Sequence, residues 1–73
     1  MEKRKFKLKK DSLFIELVKI LKFEGLSDTG GRGKSMIEEG LIRVNGEEEF
    51  RVRRKLYSGD VVAVEEVEIE IVS

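Results

Sequence analysis

Two short segments carry the residues best suited to chemistry, Gly30-Gly31-Arg32-Gly33-Lys34-Ser35 and Arg51-Val52-Arg53-Arg54-Lys55, and both point to phosphate. Gly33-Lys34-Ser35 matches the end of the nucleotide-binding pattern G-x-x-x-x-G-K-[ST]. The place of its first glycine, however, is held by Asp28, whose carboxylate repels phosphate, and the segment follows a helical pattern rather than a strand. A nucleotide loop is therefore rejected, and a glycine-rich helix start remains. Each glycine inside a helix costs about 1 kcal/mol relative to Ala, so the cluster needs a compensating role. Gly33 shares a helical face with Met36, Ile37 and Gly40, which suits close packing of a neighbouring helix. Gly30 and Gly31 stand beside the free N–H groups of the first turn, where a phosphodiester could approach between Arg32 and Lys34, with Thr29 at the helix start.

In the second segment, an extended chain would place Arg51, Arg53 and Lys55 on one face and Val52 and Arg54 on the other, unless a turn intervenes. Guanidinium forks suit phosphate oxygens, and several such contacts make affinity fall steeply with salt. The competing structural reading is that Glu47, Glu48 and Glu49 neutralise this arm across a hairpin. Phe6, Phe14, Phe23 and Phe50 occupy core-like positions, which leaves Tyr57 as the candidate to stack on a base. Contacts to backbone and shape, as offered by structured RNA, fit this composition better than the reading of unpaired bases.

The elements that must position these residues follow from periodicity. Phe6 and Leu8 alternate with Lys5, Lys7 and Lys9, as in a half-buried edge strand guarded by lysines. Phe14, Leu17, Val18 and Leu21 then fall at helical spacing, with Leu13 and Ile20 widening the stripe, Asp11 or Ser12 as cap and Gly25 as stop. A second helix is expected from about Thr29 to Glu39, closed by Gly40. Leu41 to Val44 reads as a strand, Asn45-Gly46 as a turn, Glu47 to Arg51 as strand or extended arm, and Tyr57-Ser58-Gly59-Asp60 as a second turn. Val61 to Val64 and Val67 to Val72 complete a small, mainly antiparallel sheet, with the N-terminal strand closing on the C-terminal one. The expected fold is a single α+β domain over residues 1–73, two adjacent helices packed on the sheet in the order β-α-α-β-β-β-β.

Composition narrows the function classes. At 73 residues, a multi-step catalytic apparatus is not expected. The absence of Cys and His removes thiol nucleophiles, the usual general base and the commonest metal ligands, so no catalytic, metal or cofactor site is expected. Fifteen basic and 15 acidic side chains balance, but basic residues crowd Lys3–Lys10 and Arg51–Lys55, while every charge after Lys55 is acidic. A focused basic face can recruit phosphate even at zero net charge. The start MEKRKFKLKK is basic like the head of a signal peptide, but Glu16, Lys19 and Lys22 interrupt the apolar stretch behind it. A cytoplasmic, monomeric protein without membrane or small-molecule partners is expected.

The order of two helices, then G-L-I-R-V-N-G (Gly40–Gly46) and S-G-D-V-V (Ser58–Val62), resembles the S4-type RNA-binding domain, or alpha-L motif. Thr29 and Gly30 stand where that family usually carries a Ser-Arg pair, and Gly33 with Lys34 where it carries Ala and a basic residue. T-G-G-R-G-K and R-V-R-R-K-L are similar to the short stand-alone bacterial subfamily typified by YbcJ and YaaA. The resemblance implies a non-catalytic, ribosome-associated module that binds ribosomal or transfer RNA. It also implies a contact set of Arg32, Lys34, Arg51, Arg53, Arg54 and Lys55, with Arg43 as a further member. Two other classes stay open at this point. V-N-G-E-E and G-D-V-V resemble the closing half of ubiquitin-like carriers, although no glycine follows Gly59, and the acidic C-terminal sheet could serve a protein-binding adaptor.

Overall fold

The computed structural model describes all 73 residues. The elements are β1 (Glu2–Lys7), β2 (Ile15–Glu16), α1 (Leu17–Phe23), α2 (Gly30–Glu38), β3 (Ile42–Val44), β4 (Glu47–Glu48), β5 (Lys55–Leu56), β6 (Val61–Val64) and β7 (Val67–Val72). Five strands form one sheet in the order β1-β7-β6-β3-β4, and β2 pairs with β5 in a separate two-stranded ribbon. As expected, the N-terminal strand closes on the C-terminal one, and it does so in parallel, Arg4 opposite Ile69 and Phe6 opposite Ile71. The other pairings are antiparallel.

Alternation along the strands sorts their side chains. Ile42, Val44, Val62, Val64, Ile69 and Ile71 are buried and meet Leu17, Ile20, Leu21, Met36 and Ile37 of the two helices in one continuous core. On the other sheet face the register sets Lys3 beside Glu68 and Lys5 beside Glu70. The register thus sets two lysines of the basic N-terminal strand opposite glutamates of the acidic C-terminal one, without a salt bridge between them. Arg4 instead reaches the end of α1, where its guanidinium donates to the Glu24 carbonyl at 2.9 Å and lies 3.3 Å from the Glu24 carboxylate. Phe6 stacks on Phe23 with ring centroids 6.1 Å apart, fixing α1 over the same strand.

The first helix departs from expectation. It starts at Leu17, not after Asp11 or Ser12, and Glu16 at its start makes no side-chain cap. Two carbonyls of the arm serve instead: Leu17 N–H donates to Arg54 O at 2.9 Å and Val18 N–H to Val52 O at 3.1 Å. The helical spacing of Phe14 is therefore coincidental, because Ile15 is held in an extended pair with Leu56. Gly25 ends α1 in the left-handed region with φ of 72°. The second helix is as expected, with Thr29 Oγ1 accepting from Arg32 N–H at 3.1 Å.

The helices cross at Gly33. A Cβ there would lie 3.2 Å from both Ser27 Oγ and Val18 Cγ2. Gly33→Leu is accordingly expected to destabilise the fold by about 2 kcal/mol despite the gain in helix propensity, read as a lowered midpoint in thermal or urea unfolding.

Candidate nucleic-acid interface

The arm is a turn rather than a strand. Arg54 N–H donates to Arg51 O at 3.2 Å, and strand pairing stops at Glu48 and resumes at Lys55. Exposure nevertheless alternates along it as an extended arm would give, with Arg51, Arg53 and Lys55 exposed and Val52 and Arg54 half-buried. The acidic run does oppose the arm, but through one residue and locally. Glu49 is only 7% exposed, and its carboxylate gathers the turn. Oε2 accepts from the N–H groups of Phe50 (3.1 Å) and Arg51 (3.0 Å) and from Arg51 Nε (2.9 Å). Oε1 accepts from Arg51 Nη2 at 3.0 Å and Arg54 Nη1 at 2.6 Å. The Arg51 hydrogen bonds, then those from Arg54 and the Arg51 backbone, hold the Glu49 carboxyl well below the usual carboxylate range against the opposing effect of burial. Glu47 and Glu48 are exposed at the hairpin.

Glu49 and the capping carbonyls together fix the arm against α1, and this sets Arg53 beside α2. One open cleft is lined by Gly30, Gly31 and Lys34 of α2, by Val18 of α1, and by Val52 and Arg53 of the arm. Its neighbour along the surface is lined by Arg51, Arg53, Arg54 and Lys55. Arg53 belongs to both and, with Lys34 and Lys55, makes no salt bridge. The N–H groups of Gly30 and Gly31 have no partner in the chain, and a Cβ at Gly30 would meet nothing within 4 Å. Gly30 therefore faces free space and Gly31 only the Thr29 hydroxyl, 3.8 Å from where its Cβ would lie, while Gly33 faces the first helix.

Other members of the sequence-derived set lie elsewhere. Arg32 points along α2 to within 4.0 Å of Glu39. Arg43 is on the outer face of the sheet, between Glu48 and Ala63 in register. Thr29 is engaged as the helix cap. The aromatic residues also differ from expectation, since Phe14, Phe23 and Phe50 are 37%, 62% and 54% exposed rather than in the core. The core of this 73-residue chain consists of 14 buried Leu, Ile, Val and Met residues and holds none of these rings.

Residues 6–72 match the S4 domain family along almost the whole chain. This chain is an S4 domain. It is 36% identical over 59 residues to YbcJ of Escherichia coli strain K12, covering 81% of this chain and 84% of YbcJ. It is 40% identical over 55 residues to RlbA of Bacillus subtilis, named a probable ribosome maturation protein, covering 75% of this chain and 78% of RlbA. The solution structure of E. coli YbcJ, described as revealing an alpha-L motif involved in RNA binding, aligns with a TM-score of 0.71 and 35% identity, covering 94% of this chain and 86% of that one. The S4 fold explains the two motifs that carried the resemblance, because both are structural. Asn45 and Gly46 form a tight turn with φ of 53° and 86°. Asn45 Nδ2 donates to Asp60 Oδ1 at 3.0 Å, Val61 N–H donates to Asn45 Oδ1 at 2.9 Å, and Asp60 Oδ2 accepts from Tyr57 N–H at 2.8 Å. The V-N-G and S-G-D segments therefore lock two turns of the S4 sheet together. No helix is long and apolar enough to cross a membrane.

Proposed function

We propose that this S4 domain is a non-catalytic, monomeric RNA-binding module of the cytoplasm that grips folded ribosomal or transfer RNA by its phosphate backbone. The observation that carries the reading is the cleft lined together by Gly30 and Gly31, whose N–H groups have no partner in the chain, by Lys34 and by the unpaired Arg53. A helix N-terminus attracts anions, and two cations flanking it supply the charge that a phosphodiester requires. Lys55, Arg51 and Arg54 extend the surface along the arm, whereas Arg32 and Arg43 stand outside it. The RNA-binding alpha-L motif described for YbcJ and the naming of RlbA as a probable ribosome maturation protein support RNA, and the ribosome in particular, as the partner.

Crosslinking in cells, followed by sequencing of the attached RNA, tests the reading. Enrichment of a structured RNA that disappears in a Lys34→Ala/Arg53→Ala variant is expected. Recovery of a protein partner with no RNA above background would reject it in favour of an adaptor. Close approach at the helix start has its own test. Gly30→Leu is expected to leave the melting temperature unchanged or raised, since its side chain enters open space, while weakening RNA binding about tenfold. Equal affinity in gel-shift titration would remove Gly30 from the interface.

A further inference from the structure

The ribbon formed by β2 and β5 exposes an aromatic pair that the phosphate cleft does not use. Ile15 and Leu56 face the core, and the alternation turns Phe14, Glu16, Lys55 and Tyr57 outward. Phe14 and Tyr57 meet at 5.9 Å between centroids with planes 49° apart, and Lys55 Nζ stands 4.8 Å from the Phe14 centroid. Phe14 also borders an open groove whose floor is Phe6, Leu8, Ile15 and Phe23 and whose charged rim includes Lys9 and Lys19. Glu16 is the acidic residue lining this groove, and it lies 3.9 Å from Lys19.

We propose that Phe14 and Tyr57, with the adjoining groove, form a second subsite that takes an unpaired nucleotide flanking the folded part of the same RNA. The inference rests on the RNA-binding reading above and adds to it the kind of RNA recognised. An apolar, aromatic floor fits the face of a base, and the lysines at its edge fit the phosphates on either side, whereas a neutral apolar helix would leave Lys9, which makes no salt bridge, unmatched. Continuity with the cleft supplies the second argument. Lys55 belongs both to the basic arm and to the aromatic pair, so a strand leaving the phosphate surface along the arm runs directly onto Phe14 and Tyr57.

Two hairpin RNAs with identical stems test this, one blunt and one extended by four unpaired nucleotides carrying 2-aminopurine. The intact protein should bind the extended RNA about tenfold more tightly than the blunt one and quench the 2-aminopurine. A Phe14→Leu/Tyr57→Leu variant, which keeps the apolar bulk and removes the π faces, should lose both the preference and the quenching while retaining its affinity for the blunt stem. Because a cross-strand aromatic pair also braces the ribbon, thermal unfolding of the variant is followed in parallel, and Tyr57→Leu alone serves if the double variant unfolds. Equal affinity of the intact protein for both RNAs, or an undiminished preference in the variant, overturns the subsite and leaves the phosphate cleft standing. Failure of the intact protein to bind either RNA at low salt overturns both readings. A dimer in sedimentation that the substitutions convert to monomer would assign the groove to a second copy of the chain.

Discussion

Replacing Lys34 and Arg53 together by Ala is expected to weaken binding to folded RNA about 30-fold, close to 2 kcal/mol, with little dependence on RNA sequence. Both side chains are exposed, neither is in a salt bridge, and both line the cleft at the start of α2, so the loss should be electrostatic and the fold intact. The salt dependence gives the sharper signature. Each lost phosphate contact should lower the slope of log affinity against log salt by about 1, so titration across a range of KCl should show a decrease of about 2. Arg32→Ala is the matched control, because that guanidinium lies 4.0 Å from Glu39 and Arg32 does not line the cleft. A larger loss from Arg32→Ala than from the double change would move the interface to another face of α2.

The second large effect belongs to Glu49, which does not line the cleft at α2 but organises the arm by holding Arg51 and Arg54. Glu49→Ala removes a buried acceptor from two backbone N–H groups and two guanidinium groups. A loss on the order of 3 kcal/mol is expected, a large part of the stability of a small domain, with a fall in melting temperature of roughly 15 °C. The effect on RNA distinguishes positioning from simple charge. Removing a carboxylate beside four basic residues should strengthen binding if only net charge mattered. A turn that is no longer tied should bind more weakly in the folded protein, and weaker binding is the expected result. The pH dependence has a definite sign. The folded carboxyl titrates below its unfolded value of about 4.3, so its stabilisation is complete above that pH and disappears as the solution is acidified through the folded value. Chemical denaturation at a series of pH values should show the stability gap between the native chain and Glu49→Gln narrowing below about pH 4.

The sequence by itself determined the sheet, the second helix and the family. Those features are written in local chemistry: alternating valines and isoleucines, Thr29 three residues before the N–H that it caps, and Asn45-Gly46 and Gly59-Asp60 in turns that tolerate few other residues. The residues that identify the S4 family are largely those that build it, which is why the fold was more legible than the interface. What only the tertiary structure decided was the start of α1 and the shape of the arm, because each depends on the other across more than 30 residues of chain. Leu17 and Val18 are capped by carbonyls of Arg54 and Val52, and no local periodicity can announce a cap supplied from so far away. The same is true of charge. Six basic residues on the arm and at the start of α2 look equivalent in the sequence, but buried Glu49 engages Arg51 and Arg54, and Arg32 lies 4.0 Å from Glu39. Lys34 and Arg53 are left to face one cleft, since a carboxylate acts on the cations that folding brings within a few ångströms, whatever their distance along the chain.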